Sequence, residues 1–156
     1  MKERSLEQNP KFQEMNARLS RIAEEAGLPL SPRTIVPNTR FAHELGKWAE
    51  SKGKGDKFHT AVFRAYFGQG EDIGKIPVLL DMADKAGLSK KEAQEVLDTR
   101  LFGSAVDTDW NRSLKVDPDV IPSVMINEKL YVNPQKYELY EQFMVDHHVR
   151  KRNSIE

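Results

Sequence analysis

Ile121-Pro122-Ser123-Val124-Met125-Ile126-Asn127-Glu128-Lys129-Leu130-Tyr131-Val132 is where the chain stops reading as helix and starts reading as strand. The segment from Val120 is rich in β-branched and apolar residues and is divided by the polar trio Asn127-Glu128-Lys129. That pattern predicts a β-hairpin with arms Ser123–Ile126 and Leu130–Val132. Downstream, Pro134 suits the first turn of a closing helix, with Tyr137, Tyr140, Phe143 and Met144 on its inward face. His147 to Arg152 would place cations near the negative end of that helix's dipole.

Upstream of the hairpin every periodic segment is helical. Phe12, Met15, Leu19, Ile22, Ala23 and Ala26 recur at spacings of three and four from Lys11 to Ala26, and Gly27 stands where a helix ends. Leu28 to Pro37 carries three prolines and predicts an extended connector. Asn38 or Thr39 is placed to cap a helix whose stripe is Phe41, Ala42, Leu45, Trp48 and Ala49, closed by Gly53 and Gly55. Asp56 is the expected cap of the next helix, where Phe58, Val62, Phe63, Ala65, Tyr66 and Phe67 form a face broad enough to need cover on two sides. A turn at Glu71-Asp72-Ile73 leads to Pro77 in the first turn of a helix ending at Gly87. Ser89-Lys90-Lys91-Glu92 reads as a capping box for a further helix. Val106, Trp110 and Leu114 predict a short helix ending near Val116, before Pro118.

Composition narrows the possible functions. Lys+Arg and Asp+Glu both number 24, so no net field draws the chain to nucleic acid or to an anionic membrane, and neither is an expected partner. No apolar run approaches the length of a membrane span, and Met1-Lys2-Glu3-Arg4-Ser5-Leu6-Glu7 has no secretory core, so the expected location is the cytoplasm. The 156 residues contain no cysteine, which excludes a disulfide framework, a thiolate metal site and a cysteine nucleophile in this chain.

Several polar constellations have plain structural readings. Asn38, Thr39 and His43 read as a cap and a polar residue one turn on. His147 and His148 are neighbours that point about 100° apart on a helix, with no third ligand at metal spacing. Lys52, Lys54 and Lys57 with Gly53 and Gly55 lack phosphate-loop spacing. Ser123 has no base in the sequence to activate it as a nucleophile. No metal or cofactor is implied, and no catalytic residue is assigned.

Three stretches carry a family likeness: Gly27-Leu28-Pro29 ahead of Asn38-Thr39-Arg40-Phe41-Ala42-His43; Phe63-Arg64-Ala65-Tyr66-Phe67 with Gly70-Glu71-Asp72-Ile73; and Ile121-Pro122-Ser123. Together they resemble DsbA-family thioredoxin-fold proteins, nearest to the FrnE-type dithiol–disulfide isomerases, which are relatives of the 2-hydroxychromene-2-carboxylate isomerases. The resemblance implies a mostly α fold with a small β-hairpin. A tail at 1–10 would precede a helical insertion domain over 11–105, followed by the C-terminal ββα part of a thioredoxin-like fold over 106–150. In that family a Cys-x-x-Cys motif lies in a β-α-β unit ahead of the helical insertion. The few polar residues before Lys11 do not correspond to such a unit, so the chain matches the insertion and closing unit alone.

The resemblance also implies a cis peptide at Pro122, with Ile121, Pro122 and Ser123 facing an extended peptide substrate. The expectation is a chain that is redox-inactive alone and acts as a binding or assembly module. One alternative is a subunit or fragment of an active dithiol–disulfide oxidoreductase whose cysteine-bearing half lies on another polypeptide, and a second is an unrelated helical interaction protein. The strand Val124–Ile126 loses a neighbour without the β-α-β unit, so a homodimer pairing through that edge is expected.

Overall fold

The computed structural model describes residues 10–32, 36–116, 121–132 and 136–150. The elements are α1 (Pro10–Glu25), α2 (Arg40–Ser51), α3 (Gly55–Phe63), a π-helical turn (Arg64–Gly68), α4 (Ile76–Lys85), α5 (Lys90–Thr99), α6 (Gly103–Val116), β1 (Ser123–Ile126), β2 (Lys129–Val132) and α7 (Tyr137–Asp146). The mostly helical class with one two-stranded antiparallel sheet is the one expected. The chain divides into two compact units, Met1–Thr108 and Asp109–Glu156.

The first unit is built on α2 to α5. Leu45, Trp48 and Ala49 from α2 meet Phe58 and Val62 from α3, Leu79, Met82 and Ala83 from α4, and Ala93, Val96 and Leu97 from α5 in one buried cluster. Each set falls at helical spacing, which is why the stripes were visible in the sequence. Gly46 lets α2 approach α3 closely, because a Cβ there would meet the His59 ring at 3.0 Å. After α1 the connector is pinned by Ser31, whose N–H donates to the Phe67 carbonyl at 2.7 Å and whose hydroxyl donates to that of Gly68 at 2.8 Å.

The same core holds one charged side chain. Glu44 is fully buried, and its carboxylate accepts from Arg40 Nε at 2.8 Å and from Arg100 Nε and Nη2 at 2.9 and 2.6 Å. Arg40 also donates to Asp107 at 2.6 Å and to the Gly103 carbonyl at 2.9 Å, so α2, the end of α5 and the start of α6 meet at one point. Arg100 takes a left-handed conformation, φ 53°, at the C-cap of α5, which turns its guanidinium over the Phe41 ring at 5.0 Å. Burial alone would raise the Glu44 carboxyl, but the charge-assisted bonds from Arg100 and Arg40 outweigh it and hold the group below its ordinary value. Asp107 is likewise lowered, through its bond from Arg40.

Local details depart from the sequence reading. Lys54, not Asp56, occupies the N-cap of α3, and Asp56 lies inside its first turn. Phe63 and Phe67 stay 58% and 37% exposed, so that face is covered on one side only. The capping box is half formed, since Ser89 Oγ accepts from the Glu92 N–H at 3.3 Å while the Glu92 carboxylate turns to Lys52 at 3.0 Å. In α7, Tyr137 and Met144 are exposed and only Tyr140 and Phe143 turn partly inward. Pro134, the tail at 1–9 and the cations at 151–152 lie outside the described residues.

In the second unit Asn127 and Glu128 adopt φ 45° and 67°, the two left-handed residues of a type I′ hairpin turn. Lys129 therefore belongs to β2 rather than to the turn, and the register pairs Ile126 with Lys129 and Ser123 with Val132.

Removing the Glu44 charge should leave two guanidinium groups facing a buried amide. Glu44→Gln is expected to lower the unfolding free energy at pH 7 by about 3 kcal/mol, measured by urea titration. Because the folded carboxyl titrates below its ordinary value of 4.5, its contribution is complete above that pH and is lost as pH falls through the folded value. The gap between the parent chain and Glu44→Gln should accordingly narrow on acidification below pH about 4.

Candidate functional site

The three residues singled out as substrate-facing stand together at the entry to β1. Ile121 is 86% exposed, Pro122 is exposed, the peptide bond between them is cis, and Ser123 opens the strand. Ser123 has contacts of its own.

The turn type decides which backbone groups of β1 are available. In a two-residue hairpin the flanking residues exchange both ladder bonds, and bonded and non-bonded pairs then alternate. Ile126 and Lys129 flank the turn, so the peptide groups of Ile126 and Val124 are directed to β2 and those of Met125 to the outer edge. Among the described residues β1 has β2 as its single strand neighbour. Reasoning from side chains passes over Met125, because its contribution is its main chain. A two-residue Asn127-Glu128 loop would have revealed the parity had Lys129 been assigned to the strand.

Behind the edge, aromatic contacts fix the hairpin to α7. Tyr131 stacks on Phe143 with ring centroids 4.0 Å apart, and its hydroxyl lies 2.8 Å from His147 Nε2. Asn127 Nδ2 donates to the His147 carbonyl at 2.9 Å. His147 thus serves as a strap between hairpin and helix, a role its place beside His148 did not suggest.

The other sequence candidates do not converge on this edge. Asn38 Oδ1 accepts from the Arg40 N–H at 3.0 Å, Thr39 sits at the N-cap of α2 without a side-chain cap bond, and His43 is exposed on α2. Lys52 pairs with Glu92, and Lys54 opens α3. Lys57 lines an open groove of about 480 Å³ with Asp56, Thr60, Arg64, Gln69 and Lys85, a mixed and exposed set of groups. Among the described residues no cluster of three or more His, Cys, Asp or Glu side chains could hold a metal, and no described helix is long and apolar enough to cross a membrane.

An uncharacterized protein of Bacillus subtilis (strain 168), YwbO, is 23% identical over 133 residues, which are 83% of this chain and 66% of the relative. The crystal structure of a probable DsbA oxidoreductase from Streptomyces coelicolor superposes with a TM-score of 0.77 at 20% identity, covering 94% of this chain and 64% of that one. The chain therefore spans slightly under two thirds of the length of each. The profile of the DSBA-like thioredoxin domain matches residues 1–144, and on that match the chain belongs to the DSBA-like thioredoxin domain family.

Proposed function

We propose that this chain is the substrate-side portion of a DsbA-type disulfide oxidoreductase or isomerase, which holds an extended peptide but does not itself exchange disulfides. Thiol–disulfide exchange begins with attack by a thiolate, and the chain contains no cysteine. The sulfur must then come from another polypeptide or from a further segment of a longer protein. What this chain offers is the edge of β1, and the observation that carries the reading is the outward direction of the Met125 peptide groups directly after the exposed Ile121–Pro122 pair. An extended peptide laid along that edge gains main-chain hydrogen bonds irrespective of its sequence, with Ile121 and Pro122 contributing apolar contact at one end. Such recognition suits a protein that must accept many substrates. The alternative of an unrelated helical interaction protein has no support once the family is assigned.

Two measurements test the proposal. Purified chain should reduce insulin no faster than the dithiol background, and catalysis above it would overturn the redox-silent assignment. Met125→Pro deletes the outward N–H while sparing the bonds to β2, which sheets tolerate at an edge. It should weaken binding of a fluorescent unfolded peptide at least about tenfold, while Met125→Ala changes it little. Equal binding by both variants would remove the edge from the site.

A further inference from the structure

The apolar face of α1 is exposed among the described residues. Met15, Leu19 and Ile22 on α1 are 47%, 38% and 50% exposed, and none of the described side chains of this 16-residue helix is buried. A helix of this length is marginal in water without tertiary packing. The face has a regular period, since Met15, Leu19, Ile22 and Ala26 are spaced by four, three and four residues, the a/d seam of a heptad.

We propose that α1 pairs antiparallel with α1 of a second copy of this chain. The flanking residues choose both the occupant and the direction. Arg18 and Glu25 lie seven residues apart on the same side of the seam, and Asn16 and Ala23 lie on the other side. When the helices run antiparallel and Leu19 of one faces Ile22 of the other, Arg18 comes within about two residues, roughly 3 Å of rise, of the partner's Glu25, and the contact occurs twice about the two-fold axis. A parallel pair would set Arg18 beside Ala23 and leave both charges without a complement. The antiparallel register also places Met15 against the small Ala26 of the other copy, so a large side chain meets a small one at each end. The homodimer expected from the sequence at Val124–Ile126 is thus relocated to α1, which leaves the outer edge of β1 to peptide. The inference does not depend on the peptide-binding assignment.

Four short layers make an interface at the low end of the specific range, so a dissociation constant of tens of micromolar is expected. Sedimentation equilibrium at about 100 µM should give twice the 17.9 kDa chain mass as the dominant species. Leu19→Asp should return the single-chain mass, with a melting temperature equal to the parent's when both are measured well below the dissociation constant, because Leu19 lies outside the buried core. The absence of native cysteine permits a directional check. A mixture of Leu19→Cys and Ile22→Cys chains should form more disulfide-linked dimer under mild oxidation than either chain alone. A single-chain mass for the parent protein overturns the proposal, and so does a dimer that survives Leu19→Asp. Preferential Leu19→Cys self-linking would show a parallel pair instead, which also overturns it. A dimer lost in Met125→Pro but kept in Leu19→Asp would place self-association on β1. Peptide binding is scored separately, so its failure is distinguishable from a failed dimer.

Discussion

A carboxylate held between two guanidinium groups is the point on which the helical unit depends. Glu44 sits inside the apolar cluster of α2 to α5, where an unpaired charge could not remain. Bonds from Arg40 and Arg100 reach both of its oxygens, and Arg40 extends the contact to Asp107 and the Gly103 carbonyl. Apolar packing alone would let α5 and α6 slide along the face of α2. The fork of donors fixes their registration, because a guanidinium displaced by an ångström or two leaves a buried oxygen without a partner.

The smaller unit solves a different problem with fewer residues. A two-stranded hairpin is marginal by itself, and this one is supported by the Tyr131–Phe143 stack and by the two contacts to His147. The support falls on the inner side of the sheet and at the turn. The main-chain groups of Met125 are directed to the outer edge of β1, away from this support.

The parts of this architecture legible in the sequence are those governed by period and by turn chemistry. The stripe of α2, the glycine after α1, Pro77 in the first turn of α4 and the hairpin could all be read from spacing and turn chemistry. The Glu44 cluster could not, because Arg40 and Arg100 are 60 residues apart in sequence and each, taken singly, resembles a solvated surface cation. The shifted cap at Lys54 and the diversion of Glu92 to Lys52 are also tertiary effects, in which a nearby charge competes with a local preference. Asn127-Glu128-Lys129 misled in the opposite sense, since three polar residues conceal a two-residue turn and the parity of the strand depends on that count. For the candidate site, Ile121, Pro122 and Ser123 were singled out by a shared motif, whereas the direction of the Met125 peptide groups required the ladder itself.

The π-helical turn at Arg64–Gly68 gives the fold a constraint on how its length can drift. A π turn holds one residue more than an α turn, so the helix that begins as α3 is locally widened over Arg64–Gly68. Here the widened turn presents the Phe67 and Gly68 carbonyls to Ser31, and those two bonds seat the connector that follows α1. Deleting one residue from Arg64–Gly68 would restore a regular helix but rotate both carbonyls by about 100° away from the connector. The geometry of the two segments is therefore coupled, since the connector keeps its seat at Ser31 only while both carbonyls face it.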